Sequence, residues 1–339
     1  MSGSMIPWCT FTFNPLSGCR HGCEYCYARK LVHRFSGDVR ENKLHRERYR
    51  IENGIYVLDE PFDGPDGKRI TAPFGFEPTY HRYRLHDLDK RKGGYNIFVG
   101  SLADLFGEWV PDYMLEEIFG VLRNPYINYL FLTKNPQRYR EILEAGWLPR
   151  GDNYWYGTTI TSNRDAEERL GAMTALEAEG CKTLISVEPL QERLAPELVK
   201  DICFSDWVIL GAETGNRKEK PRVETRWVTD FLDVDPDVRA PVFMQKSLRD
   251  AAPEFLMEYP EILAENVEKT KLRSYADKNF GNCILCGEHG RKSEMVTLTA
   301  RAGRGTKSLV MGFMHRNCLR GFCGAHGIPV PKVEGMENG

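Results

Sequence analysis

Ser17-Gly-Cys-Arg-His-Gly-Cys-Glu-Tyr-Cys-Tyr-Ala-Arg-Lys30 is the stretch on which the reading of this chain turns. It spaces Cys19, Cys23 and Cys26 as C-x3-C-x2-C, directly after an extended run from Thr10 to Asn14. Thiolates are soft donors that suit iron–sulfur clusters, zinc or copper(I). A structural zinc site takes about four protein ligands, whereas three cysteines in one loop can hold three irons of a [4Fe-4S] cubane and leave roughly one open. An open metal position points to chemistry rather than scaffolding. The competing reading is a zinc knuckle completed by His21 or by a distant residue. Ligand count and the strand-then-loop context favour the cluster.

The 339 residues suit about two domains. Apolar content of 41% and charge of 28% are those of a soluble globular protein, and a net charge of −2 leaves room for a local basic face. No apolar run reaches the length of a membrane span and no signal-peptide pattern opens the chain, so no membrane partner and a cytoplasmic location are expected. The ten cysteines fall into two clusters plus singles, which reads as metal sites in a reducing compartment, not disulfides. Met1-Ser-Gly-Ser4 before Met5 has the look of a cloning remnant outside the fold.

After the cysteine loop, Ala28, Leu31, Val32 and Phe35 recur at helical spacing. Residues 29–50 hold eight Lys/Arg against three Asp/Glu, a solvated face or a polyanion-facing surface. An inserted hairpin is expected within 51–72, pairing Ile55–Leu58 with Lys68–Ile70 around Asp66-Gly67. A second basic, aromatic patch spans 81–92. From Tyr95 on, short apolar runs alternate with amphipathic segments. The runs are Asn96–Gly100, Tyr129–Leu132, Tyr154–Thr158, Thr183–Val187, Trp207–Leu210 and Pro241–Met244. Helices are expected from Asp112, over Tyr139–Leu143, over Asp165–Glu179 with Ser162 or Asn163 as N-cap, and over Glu224–Leu232. Strands and helices alternating in this way predict an α/β fold with a parallel sheet. About seven strands, short of a full eight, predict a partial, laterally open parallel (β/α) barrel, with a doubly wound sheet as the alternative. Polar residues close each run: Ser101 and Asp104, Thr133-Lys134, Thr159 and Thr161, Glu188, Glu213, and Gln245-Lys246. In βα barrels these strand ends carry the active site.

The cysteine spacing, with Tyr25 just before the third cysteine, resembles the signature of radical S-adenosylmethionine (SAM) enzymes. Further phrases are similar to the phage-associated radical-SAM-like family of largely unknown function. They are Thr12-Phe-Asn-Pro-Leu-Ser-Gly-Cys19, Ile97-Phe-Val-Gly-Ser-Leu-Ala-Asp-Leu-Phe106, Leu130-Phe-Leu-Thr-Lys-Asn-Pro136, Ser186-Val-Glu-Pro-Leu190, Trp207-Val-Ile-Leu-Gly-Ala-Glu213 and Phe243-Met-Gln-Lys246. The resemblance runs over residues 8–247. It implies a [4Fe-4S] cluster on Cys19, Cys23 and Cys26, with SAM chelating the open iron and an adenosyl radical formed on reduction. It also implies an electron donor, flavodoxin-like or a chemical reductant. Tyr25 would flank the adenine, and Ser101 and Asp104 take the place of a Gly-Gly-Glu form that this chain lacks. Thr161 and Asn163 would meet the ribose or carboxylate. Glu188 and Glu213 would face SAM or substrate, and Lys134 and Lys246 a carboxylate or phosphate. No catalytic hydrogen donor can be named: Cys9 and Cys181 both precede their strands.

The expected domains are a barrel over 5–250, a helical linker over 251–278, a zinc-finger-like module over 279–328 and a tail over 329–339. Residues 250–275 have helical spacing. Cys283-Ile-Leu-Cys286 and His315-Arg-Asn-Cys318 then have the form of a zinc site, with His289, Cys323 and His326 in reserve and a second iron–sulfur cluster as rival. Met295–Leu298 and Leu309–Phe313 would form the intervening hairpin, with its tip at Gly303–Gly305. So short a module needs metal for its stability. It carries seven Lys/Arg between Arg291 and Arg320 against the lone acid Glu294. The expected function is therefore radical SAM chemistry on a nucleic acid or nucleobase-containing substrate. A peptide or small-molecule substrate, or a non-catalytic metal-stabilised nucleic-acid-binding protein, are the alternatives.

Overall fold

The computed structural model describes residues 6–89, 91, 93–283, 286, 289–292, 295–300 and 309–325. The Met1–Ser4 leader, Gly303–Gly305, Glu294, His326 and the 329–339 tail therefore lie outside the described residues, as do Lys90 and Lys92. The chain divides into two compact units, Met1–Val267 and Glu268–Gly339.

The first unit opens with β1 (Phe11–Phe13), β2 (Leu16–Ser17), α1 (Tyr27–His33) and α2 (Val39–Asn42). Then follow β3 (Arg50–Glu52), β4 (Ile55–Leu58), β5 (Thr79–His81) and β6 (Tyr95–Val99). The regular part continues through α3 (Asp112–Val121), β7 (Ile127–Thr133), α4 (Gln137–Glu144), β8 (Tyr154–Thr159), α5 (Asn163–Ala178) and β9 (Lys182–Leu190). It ends with α6 (Pro196–Cys203), β10 (Val208–Ala212), α7 (Thr225–Leu232) and β11 (Val242–Met244).

β1 and β6 to β11 form one seven-stranded sheet in the order β1-β6-β7-β8-β9-β10-β11, parallel throughout. The order is sequential, so the sheet is singly wound and its crossover helices lie on one face. The result is the curled half-barrel expected from the sequence; a doubly wound sheet would reverse its strand order. Alternation along each strand sorts the core. Ile97, Tyr129, Phe131, Ile185, Val208 and Val242 pack outward with helix residues such as Leu115, Ile118, Ile142 and Val199. Phe98, Leu130, Trp155, Leu184, Ile209 and Phe243 pack on the other face with Trp8, Trp207 and Leu263.

The N-terminal end of the sheet is closed by a buried amide network. Asn96 Nδ2 donates to Leu263 O (2.8 Å), while its Oδ1 accepts from Asn128 Nδ2 (2.9 Å) and Asn266 Nδ2 (3.2 Å). All three asparagines are buried, so each bond replaces water that the site excludes. The network fastens the start of α8 (Glu261–Asn279), within which the division into units falls.

Three local expectations are corrected. The hairpin partner of β4 is β3, through Asn53-Gly54 with φ of 51° and 73°, and not Lys68–Ile70. Asn-Gly supplies the two positive φ angles of a tight hairpin turn, which Asp66-Gly67 does not do here. β4 also pairs with β5 in parallel, giving a four-stranded side sheet β2-β5-β4-β3. Helix α6 was not expected. It starts with Pro196 at its first turn and buries Val199, Ile202 and Cys203. Residues 253–258 are not helical: Met257 bridges Phe243, and Glu258 N donates to Val242 O (3.0 Å), so this segment lines the β11 edge.

The second unit holds β12 (Phe280–Asn282), β13 (His289–Arg291), β14 (Met295–Ala300), β15 (Leu309–His315) and α9 (Arg316–Ala325). β14 and β15 pair antiparallel, as the sequence indicates. Cys283, Met295, Val296, Met314, Leu319 and Cys323 form its small core, which makes Cys323 a packing residue.

Candidate functional site

The cysteine loop is clamped at both sides before it begins. Ser17 Oγ lies 2.8 Å from buried His81 Nε2, Gly18 N donates to Leu102 O (2.9 Å), and Cys19 N to Phe76 O (3.3 Å). Gly18 has φ of +84°, and a Cβ there would collide with the Glu77 carbonyl, so glycine is required. At the other end Cys26 is the N-cap of α1, its Sγ accepting from Arg29 N (3.4 Å). Burial pushes the Cys19 thiol up to about 12, against a bond from the His21 backbone.

All three cysteines open into one cavity of about 540 Å³ at the C-terminal ends of the barrel strands. Side chains from successive strand ends also line it: Lys134, Thr159, Ser186, Glu188, Glu213 and Gln245. Glycines make the room. A Cβ on Gly211 would stand 2.8 Å from Glu188 Cγ and 3.1 Å from Gln245 Cγ. One on Gly157 would meet Leu184 and Leu132 at 2.6 and 2.7 Å.

Most of the residues singled out in the sequence converge here. Lys134 Nζ donates to Tyr25 Oη (2.7 Å) and lies 5.2 Å from the centre of that ring. Glu188 accepts from Gln245 Nε2 (3.2 Å), and burial raises its carboxyl above the ordinary range. Glu213 is held below that range by Arg217, which chelates it at 2.6 and 2.7 Å; Gln191 Nε2 adds a bond of 2.9 Å. Lys246 lines the same cavity.

Asp104 is present but saturated. Oδ1 accepts from Thr133 Oγ1 (2.7 Å) and Phe106 N (3.0 Å); Oδ2 accepts from Lys134 N (2.9 Å) and sits 2.7 Å from His21 Nε2. Burial opposes its charge, but His21 and these donors hold its carboxyl below the usual range. It therefore ties the cysteine loop to β6 and β7. Ser101 is similarly engaged, donating to Asn14 Oδ1 (3.1 Å) and accepting from Tyr27 Oη at its carbonyl (2.8 Å).

Thr161 and Asn163 are not brought to the cavity. Thr161 donates to Asp165 Oδ2 (2.7 Å), and Asn163 bonds Glu192, Arg193 O and Ala195 N, fixing the start of α5 and the loop before α6. Tyr27, Ser186 and the His21–Asp104 pair are site features that the sequence reading did not place, whereas Gln245 was among its polar strand ends. For Ser186 the signal was there, since it lies near the end of its strand.

In the second unit, Cys283, Cys286, His315 and Cys318 bring their ligand atoms within 4.8 Å of one another. Cys286 Sγ is 3.4 Å from His315 Nδ1, and His315 N donates to Cys283 Sγ (3.4 Å). This Cys3His group could hold a metal ion such as zinc, which prefers four such donors in a tetrahedron. His315 is the last residue of β15, and Cys318 stands in the first turn of α9.

The family model for a protein of unknown function, DUF5131, matches residues 3–246. The chain belongs to that family. Its span covers the whole half-barrel and stops before the Cys3His group, so DUF5131 is the unit that holds the cavity. No curated protein and no solved structure matches the chain. Among the described residues, no helix is long and apolar enough to cross a membrane.

Proposed function

We propose that this protein is a radical SAM enzyme acting on a nucleic acid or nucleobase-containing substrate. The observation that carries the reading is that Cys19, Cys23 and Cys26, all from one loop, line a single strand-end cavity. The donor set fits a [4Fe-4S] cluster: three soft ligands from one loop, at the start of a helix, beside space for a further ligand. When bound, cluster and SAM supply reductive cleavage of the sulfonium, the hard step of the chemistry.

The chain's own residues do the holding. Lys134 and Tyr25 form one wall, offering a fixed cation and an aromatic face. Glu188, with its raised pKa, attracts a cationic or hydrogen-bond-donating group, because burial leaves its charge poorly compensated. Trp8 and Phe98 add aromatic faces to the cavity lining. In the second unit we assign zinc, on donor number and softness.

The test is an anaerobic assay for 5'-deoxyadenosine with dithionite and SAM, with and without DNA, RNA and nucleotides. Product should form in the wild type and vanish in Cys23→Ala. Product retained in Cys23→Ala would overturn the assignment of the loop.

A further inference from the structure

Folding consumes much of the positive charge that the sequence displays. Arg82 is taken by Glu117 (2.6 and 2.9 Å), Arg84 donates to the carbonyls of Asn14 and Thr71, and Arg91 lies over Phe11 (4.0 Å). Lys43 pairs with Glu77, Arg50 with Asp59 and Glu52, and Arg48 stacks on Phe62 (3.9 Å). These described cations of residues 43–50 and 81–91 are thus engaged within the fold.

Several of the cations outside these pairs lie beside the cavity, on α1 and on the loop after β10. Helix α1 leaves the cysteine loop with Ala28 and Val32 buried, so Tyr27, Lys30, Leu31 and Arg34 share its outer face. Tyr27 is 51% exposed and lines the cavity; Phe35, at the end of the same stripe, is 54% exposed. Beside it runs the loop between β10 and α7, Thr214-Gly-Asn-Arg-Lys-Glu-Lys-Pro-Arg-Val223. Arg217 of this loop reaches Glu24 Oε2 of the cysteine loop (3.4 Å), and a Cβ on Gly215 would lie 3.7 Å from Lys30 Nζ. Glu213 and Glu24 are both engaged by Arg217, which leaves Glu219 as the loop's acid. Among the described residues, Lys30, Arg34, Lys218, Arg222 and Lys246 enter no ion pair.

We infer that this rim, α1 with the β10–α7 loop, binds single-stranded nucleic acid and leads one base into the cavity. Uncompensated cations flanking exposed aromatic and apolar faces are what a flexible polyanion with stacking bases requires. A duplex keeps its bases stacked and has to extrude one to reach a recessed site, so it binds less well. The inference rests on the cavity being the reaction site, but its test needs no turnover.

The test is fluorescence anisotropy with anaerobically reconstituted full-length protein and a labelled strand of about 16 nucleotides. Single-stranded DNA, single-stranded RNA and the matching duplex are compared over about 50 to 200 mM salt. One or both single strands should bind at least about tenfold tighter than the duplex, with a log–log salt slope near −3 for about four phosphate contacts. The tighter of DNA and RNA identifies the source. Lys30→Glu combined with Lys218→Glu should weaken the single strand at least about tenfold and flatten the slope by about 1.4, with iron content and thermal unfolding unchanged. Arg164→Glu, on the exposed face of α5, should change neither. Equal binding of duplex and single strand, or a double variant that binds as the wild type does, would overturn the inference. Strand binding by a protein that holds no iron would sink the cluster reading and leave this one standing.

Discussion

The loop of Cys19, Cys23 and Cys26 and the group of Cys283, Cys286, His315 and Cys318 both present thiols, yet they differ in how many donors they offer and in what lies beside them. The second supplies four donors whose atoms converge within 4.8 Å, two of them from a strand end and a helix start. A tetrahedral ion there would have all four positions filled by protein donors, so metal binding becomes folding energy for a unit with a small core. The first supplies three donors and faces a cavity of about 540 Å³ lined by six strand ends. Its surroundings are already folded around a large core, so metal there is not needed to hold the barrel. A closed set stabilises, and an open set invites a ligand.

The comparison breaks most visibly if each set is emptied in turn. Cys23→Ala should remove all cluster iron and the brown colour, while zinc content and unfolding of the second unit stay as they were. Cys283→Ala should do the reverse. Zinc is lost and residues beyond Glu268 become protease-sensitive, as expected when about 10 kcal/mol or more of metal-linked folding energy is removed. Iron content and the melting of the half-barrel should not move. If Cys23→Ala collapses the second unit, or Cys283→Ala bleaches the protein, the two sites are not independent.

Asp104 sharpens the contrast at the next scale. Its carboxylate holds the cysteine loop to β6 and β7 through four acceptor contacts, so Asp104→Asn should destabilise the first unit by about 3 kcal/mol in urea. Its pKa is depressed in the folded protein. Its contribution is therefore complete above the unfolded value near 3.9 and is lost as pH falls below it. The wild type should lose stability on acidification below about pH 4 more steeply than the asparagine variant. Parallel acid limbs would show that Asp104 carries no such linkage.

Smaller effects come from the glycines that shape each site. Gly157→Ala forces a Cβ against Leu184 and Leu132, an overpacking worth about 1 to 3 kcal/mol by calorimetry. Gly290→Ala would place its Cβ 2.7 Å from His315 Nε2, tilting a metal ligand. Zinc affinity in a chelator competition should fall about tenfold, with iron untouched. An unchanged affinity would mean that the ring yields without cost.

Much of this was legible in the chain. Strands buried on both faces are nearly continuous apolar runs, so Ile127–Thr133 and Lys182–Leu190 stand out between amphipathic helices. The thiol spacing, and the polar residues closing each run, then located the cavity before any coordinates. What stayed hidden was set by tertiary partners. Whether a strand-end side chain faces ligand or holds a loop depends on what lies opposite, which is why Lys134 and Thr161 look alike in sequence and part company in the fold. The rim is the same case: Arg82 is neutralised by Glu117, and Arg217 meets Glu24 from 193 residues away. No linear charge count can see such pairings. Helix α6 escaped because its eight residues offer only two turns of pattern, and α8 starts late because Pro253–Glu258 is drawn onto the β11 edge.

The most direct test of the account is metal analysis of the anaerobically reconstituted wild type, read together with SAM cleavage in the same sample. The expected result is about four irons and one zinc per chain, a brown protein, and 5'-deoxyadenosine released with dithionite. A colourless protein with zinc at both cysteine sites and no cleavage product would contradict it.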